Sequence, residues 1–165
     1  MIAQTLLPEF DQEFATLRKT LERVPEDRPE YTPHEKSMPM AKLAGHLAEI
    51  STWMNATLDA DELDFATGAY EPYSMTTRAD LLATFDKNVA SARETLAKAT
   101  DENMMRNWSL KNGETIYLTM PKVAVIRGFV LSHMIHHRAQ LGVYLRLNGV
   151  PLPQTYGPSA DEGDM

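Results

Sequence analysis

The chain has 165 residues, enough for one domain with a sizeable core, and its 43% hydrophobic and 24% charged residues are those of an ordinary globular protein. A formal net charge of −7, from 16 Lys and Arg against 23 Asp and Glu, argues against a surface that neutralises nucleic-acid phosphates. Cysteine is absent, which excludes disulfides, thiolate metal sites and a thiol nucleophile of the chain's own.

The first segment repeats Ile2, Leu6, Phe10, Phe14, Leu17, Leu21 and Val24 at three- and four-residue steps, the spacing of a helix that ends at Pro25. The stretch from Pro25 to Pro39 holds four prolines and few apolar residues and reads as a long loop. Pro39 suits the first turn of a second helix, with Ser37 as its cap. That helix keeps Leu43, Leu47, Ile50, Met54 and Leu58 on one side and ends near Asp59. Asp61 to Ser74 is expected to be irregular. Thr76 or Thr77 then caps a third helix, with Asp80 reaching back to its open N–H groups and a stripe of Leu82, Phe85, Val89, Ala92, Leu96 and Ala99.

Between Asn107 and Thr119 the period changes to that of a short hairpin around Asn112-Gly113. Pro121 opens the last helix, which runs to about Asn148 before Gly149 and Pro151. Val150 to Met165 is expected to be an extended tail, with Asp161 to Asp164 a solvated acidic end. The pattern predicts one all-α domain over residues 1–165, a four-helix bundle with a small hairpin before the last helix. No apolar run approaches the ~18 residues of a membrane span. The first residues lack the basic and apolar regions of a secretory signal, so a cytoplasmic location is expected.

The five histidines carry the chemistry. On the last helix Val123, Ile126, Val130, His133, His137, Leu141 and Tyr144 follow one helical stripe, so two histidines take positions otherwise held by aliphatic residues. Their i, i+4 spacing sets both rings on one face. On the second helix Leu43, His46, Ile50 and Trp53 form a similar stripe. Three inward imidazoles without partners leave buried nitrogens unsatisfied, at about 1–3 kcal/mol each. A shared transition metal resolves this, since neutral imidazole suits zinc, nickel, copper or iron. Hydrogen-bonded core histidines remain the alternative. His34 falls in the proline-rich loop, and His136 is rotated off the His133–His137 line as a flanking residue. The inward His46-x-x-Glu49 does not make a di-iron site, because the last helix offers no inward Glu.

Ala44-Gly-His46-Leu-Ala-Glu-Ile-Ser-Thr-Trp53 resembles the first histidine motif of the DinB-like (damage-inducible) superfamily, and Leu131-Ser-His133-Met-Ile-His136-His137-Arg138-Ala-Gln140-Leu141 resembles its second. The tail, Gly149-Val-Pro-Leu-Pro153 and Tyr156-Gly157-Pro158-Ser159, is similar to that family's C-terminal signature; Ala139 departs from the usual Gly. The resemblance spans nearly the whole chain. It implies a four-helix bundle holding one divalent ion, zinc or nickel first, on His46, His133 and His137. It also implies homodimers, a small-molecule substrate, and either thiol S-transferase chemistry with a low-molecular-weight thiol or hydrolysis by activated water. With no cysteine in the chain, any thiol comes from a co-substrate. His136, Arg138, Gln140, Trp53 and Tyr156 are candidates for the surroundings of the site, Arg138 or Gln140 as anchors of the tail and Trp53 and Tyr156 at a pocket mouth. No general base is assigned. The competing reading is a non-enzymatic metal-binding bundle with a structural or stress-response role.

Overall fold

The first periodic segment folds as α1, Ile2–Leu21, in a computed structural model that describes residues 1–68 and 72–163. Its buried stripe of Leu6, Phe10, Phe14, Leu17 and Leu21 supplies one wall of the core, with the Phe10 and Phe14 rings 4.3 Å apart. Asp101 caps this helix from across the molecule, accepting hydrogen bonds from the Met1 ammonium at 2.8 Å and the Ile2 N–H at 2.7 Å.

The second rod has two parts, α2 (Met40–Glu49) and α3 (Thr52–Leu58), joined by a turn at Ile50-Ser51. Ser37 does not cap it, and no side chain does. The proline-rich loop satisfies the open N–H groups with main-chain carbonyls: Met40 N–H donates to Tyr31 O at 3.0 Å, and Ala41 N–H to Pro29 O at 2.9 Å. The third rod is α4 (Arg78–Lys98), whose cap is Thr77, the side chain accepting from Asp80 N–H. Asp80 does not close a capping box. Its carboxylate accepts from Tyr73 Oη at 2.5 Å and Thr76 Oγ1 at 3.1 Å, because Tyr73 lies within reach. Leu81 rather than Leu82 is fully buried in the first turn, one helical turn before Phe85.

After α5 (Asp101–Met105), strands β2 (Asn107–Asn112) and β3 (Thr115–Pro121) form the hairpin. Gly113-Glu114 makes the turn, with Gly113 at φ +58 and no left-handed non-glycine residue among the described residues, as a II′ turn requires. The last rod runs through α6 (Lys122–Val125), a π-helical stretch at Ile126–Ser132, and α7 (His133–Leu147). Both α4 and the last rod pack against α1 and against α2–α3, so the first two rods occupy opposite corners of the bundle. A long loop over residues 22–39 is what that diagonal connection needs.

The strictly all-α expectation is corrected by β1 (Glu62–Asp64), which pairs in parallel with β2 and makes a three-stranded sheet in the order β1-β2-β3. Part of the segment expected to be irregular is therefore ordered; residues 69–71 of it lie outside the described residues. The sheet is fastened to the helices by buried polar groups. Trp108 Nε1–H donates to Ala56 O at 3.1 Å. The buried Lys122 ammonium reaches Asp61 Oδ1 at 3.0 Å, Asn103 Oδ1 at 3.1 Å and Leu58 O at 3.4 Å, so its three protons each have an acceptor.

The tail is also corrected. It is folded against α1 and α7, and its acidic residues are paired, not simply solvated. Asp161 accepts from Arg146 at 2.5 Å and from Leu152 N–H at 2.8 Å, and Glu162 pairs with Arg23. These partners hold both carboxyls below their usual range, Asp161 chiefly through Arg146 and Glu162 chiefly through Arg23. Asp164 lies outside the described residues. No helix among the described residues is long and apolar enough to cross a membrane.

Candidate metal centre

Facing stripes of α2 and α7 bring His46, His133 and His137 together, all half-buried, with one nitrogen of each lying within 4.8 Å of the others. Nε2 of His133 stands 2.7 Å from Nε2 of His137 and 3.4 Å from Nε2 of His46. The ring centroids are 4.5 to 5.1 Å apart. The i, i+4 spacing on α7 supplies two rings, and the contact of α2 with α7 supplies the third.

Each ring has an acceptor on its far side. His46 Nδ1 lies 3.4 Å from Glu49 Oε1, and His137 Nδ1 lies 2.6 Å from Gln140 Oε1. The His133 ring is hydrogen-bonded to the main-chain carbonyl of Phe129. That carbonyl belongs to the π-helical stretch, where the His133 N–H turns to Gly128 O and Val130 O and passes Phe129 over. A neutral imidazole that donates through Nδ1 keeps a lone pair on Nε2. In that tautomer three lone pairs face one another across the Nε2 atoms. A cation at their centre removes that conflict, and the outer acceptors are the arrangement that orients metal-binding histidines. The donor set thus fits a nitrogen-loving divalent ion.

The electrostatics agree. Burial first, then the facing His137 and His46, pushes His133 down to about 4, and burial also lowers His137. Both rings are therefore neutral, hence competent as ligands, throughout the physiological range.

Glu49 is not among the residues expected around the site, although His46-x-x-Glu49 marks it. The side chain is buried, and its second oxygen accepts from Tyr73 N–H at 2.9 Å. The Tyr73 loop crosses α2 at Gly45, where a Cβ would meet Tyr73 O at 2.4 Å; only glycine fits there. This loop and α2 enclose a cavity of about 370 Å³ with His46 in its wall.

Of the other candidates, Gln140 joins the triad through His137, and His136 lies exposed against the same ring at 5.1 Å. Trp53 packs between Trp108 and Phe129, stacking on the latter at 6.4 Å, as part of the helix–sheet contact. Arg138 points away from the triad. Buried on the other side of α7, it donates to Glu13 Oε2 at 2.8 Å and to Tyr156 Oη at 2.7 Å, while Tyr156 donates to Glu13 at 3.0 Å. This three-way contact ties the tail to α1 and α7. Tyr156 borders a separate apolar groove along α7 and the tail, not the cavity beside His46. His34 is exposed in the first loop, its Nδ1 accepting from Lys36 N–H at 3.1 Å.

The family model described as "DinB family" matches residues 1–164. The chain belongs to the DinB family. Among solved structures it is similar to a DinB-like protein from Bacillus subtilis, YjoA, with a TM-score of 0.70 and 21% identity over 92% of this chain and 97% of that one. It is equally similar to a DinB-like protein from Bacillus cereus, with a TM-score of 0.70 and 19% identity over 93% and 97%. A third is YfiT from Bacillus subtilis, described as a probable metal-dependent hydrolase with an unusual four-helix bundle topology (TM-score 0.62, 14% identity, 89% and 87% covered). At these identities the likeness is one of fold. No curated protein matches the chain.

Proposed function

We propose that this DinB-family chain is a metal-dependent enzyme in which His46, His133 and His137 hold one divalent ion, zinc or nickel, and that it activates a small nucleophile toward a small-molecule electrophile. The observation that carries this is the convergence of three Nε2 atoms, each ring anchored from behind by Glu49, Phe129 O or Gln140. Three ligands leave a coordination position open, which distinguishes a working site from a closed structural one. When bound, such an ion lowers the pKa of the water or thiol that occupies that position.

The chain's own residues supply the rest. His46 carries the site to the wall of the cavity, Glu49 holds that ring in its donor tautomer, and the Tyr73 loop covers α2 beside it. The likeness to YfiT supports water as nucleophile, and so hydrolysis. The absence of cysteine means that the thiol variant, S-transfer, draws its sulfur from a co-substrate.

Elemental analysis of untagged protein tests the proposal, with hydrolysis of p-nitrophenyl acetate measured in the presence and absence of small thiols. One equivalent of metal, lost in His133→Ala together with activity, is the expected result. Activity that survives in metal-free protein or in His133→Ala defeats it.

A further inference from the structure

Among the described residues the cavity beside His46 has one lysine in its wall, Lys42, set one helical turn before His46 on the same face of α2. The rest of the wall is largely apolar, with Met38, Pro72 and Tyr73, apart from the Glu49 carboxylate, which is engaged by His46 and by Tyr73 N–H. Lys42 is exposed, and its ammonium makes no ion pair or hydrogen bond among the described residues.

Lys42 also stands against local preference. It is the third residue of α2, whose first turn has no acidic residue, so its charge adds to the positive end of the helix macrodipole. The helix is weaker for it. The Met40 and Ala41 N–H groups are already bonded to loop carbonyls, so the helix end itself offers no anion seat, and the ammonium is the group left to use. A residue that breaks a local rule in the wall of a cavity next to the reacting centre points to a ligand.

We infer that the substrate is a small organic anion, a carboxylate or phosphate held by Lys42, with its reacting group turned toward His46. This rests on the proposed function only for the direction in which the anion lies; anion binding itself depends on Lys42 and the cavity. Lys42 is thus a specificity-determining residue, whose role is to place one end of the substrate.

The test is calorimetric titration of the full chain, zinc-loaded and metal-free, with succinate and with its neutral counterpart succinamide at low ionic strength. Succinate is expected to bind at one site and succinamide about fivefold or more weakly. Lys42→Ala should reduce succinate affinity by a similar factor, with zinc affinity unchanged and a melting temperature equal to or above that of the wild type. Lys42→Arg should retain binding. The inference is overturned if succinate does not bind, if both compounds bind alike, or if Lys42→Ala binds as the wild type does. Absence of zinc binding would sink the proposed function instead, and the metal-free titration would still decide on Lys42.

Discussion

Replacing Gly45 with alanine tests how closely the metal centre depends on the loop above it. A Cβ at this position would lie 2.4 Å from Tyr73 O, 3.0 Å from Ser74 Cα and 3.1 Å from Tyr73 C, and ordinary contact starts near 3.4 Å. All three atoms are backbone, so the loop must retreat by about 1 Å. Overpacking of this kind costs about 1–3 kcal/mol, while alanine in place of helical glycine returns about 1 kcal/mol. The net loss is about 0–2 kcal/mol, a fall in melting temperature of up to ~8 °C at about 2–4 °C per kcal/mol for a domain of this size. The more telling effect is on the site. Tyr73 N–H is bonded to Glu49 Oε2 at 2.9 Å, and Glu49 Oε1 faces His46, so the retreat loosens the carboxylate that orients a ligand. Zinc affinity, measured by competition with a chromophoric chelator, should fall by about 10-fold, the lower end of what loss of an outer partner costs. A variant with raised stability and unaltered zinc affinity would refute the argument, because it would mean that the loop moves freely and that Glu49 acts without it.

Gln140→Ala should weaken zinc binding by about 10–100-fold without unfolding the protein, since Gln140 is exposed and its side chain is bonded to the His137 ring; chelator competition reads it. Arg138→Ala leaves the buried Glu13 carboxylate without its cation and should cost about 3–5 kcal/mol in chemical unfolding, whereas the double replacement Glu13→Gln with Arg138→Met should recover much of the loss. Tyr73 is pushed up to about 12 by burial and its bond to Asp80. The raised value means that the fold favours the neutral phenol, so its stabilisation is complete below pH ~10 and is lost as pH rises toward 12. Burial and Glu13 also raise Tyr156, so a spectrophotometric tyrosine titration should show late-ionising phenols of which one disappears in Tyr73→Phe.

Helical periodicity was enough to find the four rods and the three histidines because both depend on a local repeat. His133 and His137 are neighbours through i, i+4 geometry alone, and His46 shares the buried stripe that must meet them. The features that escaped involve partners distant in sequence. Strand β1 has three residues, too short for a period, and exists because Asp61 O accepts from Ser109 N–H and because Asp64 accepts from Gly113 N–H at 2.9 Å across 49 residues. Gly113 and Ala66 N–H, by donating to it, hold the Asp64 carboxyl below its usual range. Ser37 looked like a cap for α2 because it precedes Pro39, yet main-chain carbonyls from Pro29 and Tyr31 had already closed the helix end.

The same distinction separates the two kinds of residue at the metal centre. A side chain placed to hold a metal from a helix must point inward, so it leaves a mark in the repeat, as the candidates His46, His133 and His137 do. A residue that orients the ligand need only lie three positions further along, as Glu49 does from His46 and Gln140 from His137. Gln140 lies within the motif around His137, whereas the inward Glu49 gains its place only from the fold, where the Tyr73 loop holds its other oxygen. Gly45 carries the fuller signal. A glycine in mid-helix, directly before an inward histidine, weakens the helix by about 1 kcal/mol relative to alanine. At Gly45 another backbone does pass close by, and that backbone is part of the wall of the cavity next to the histidines.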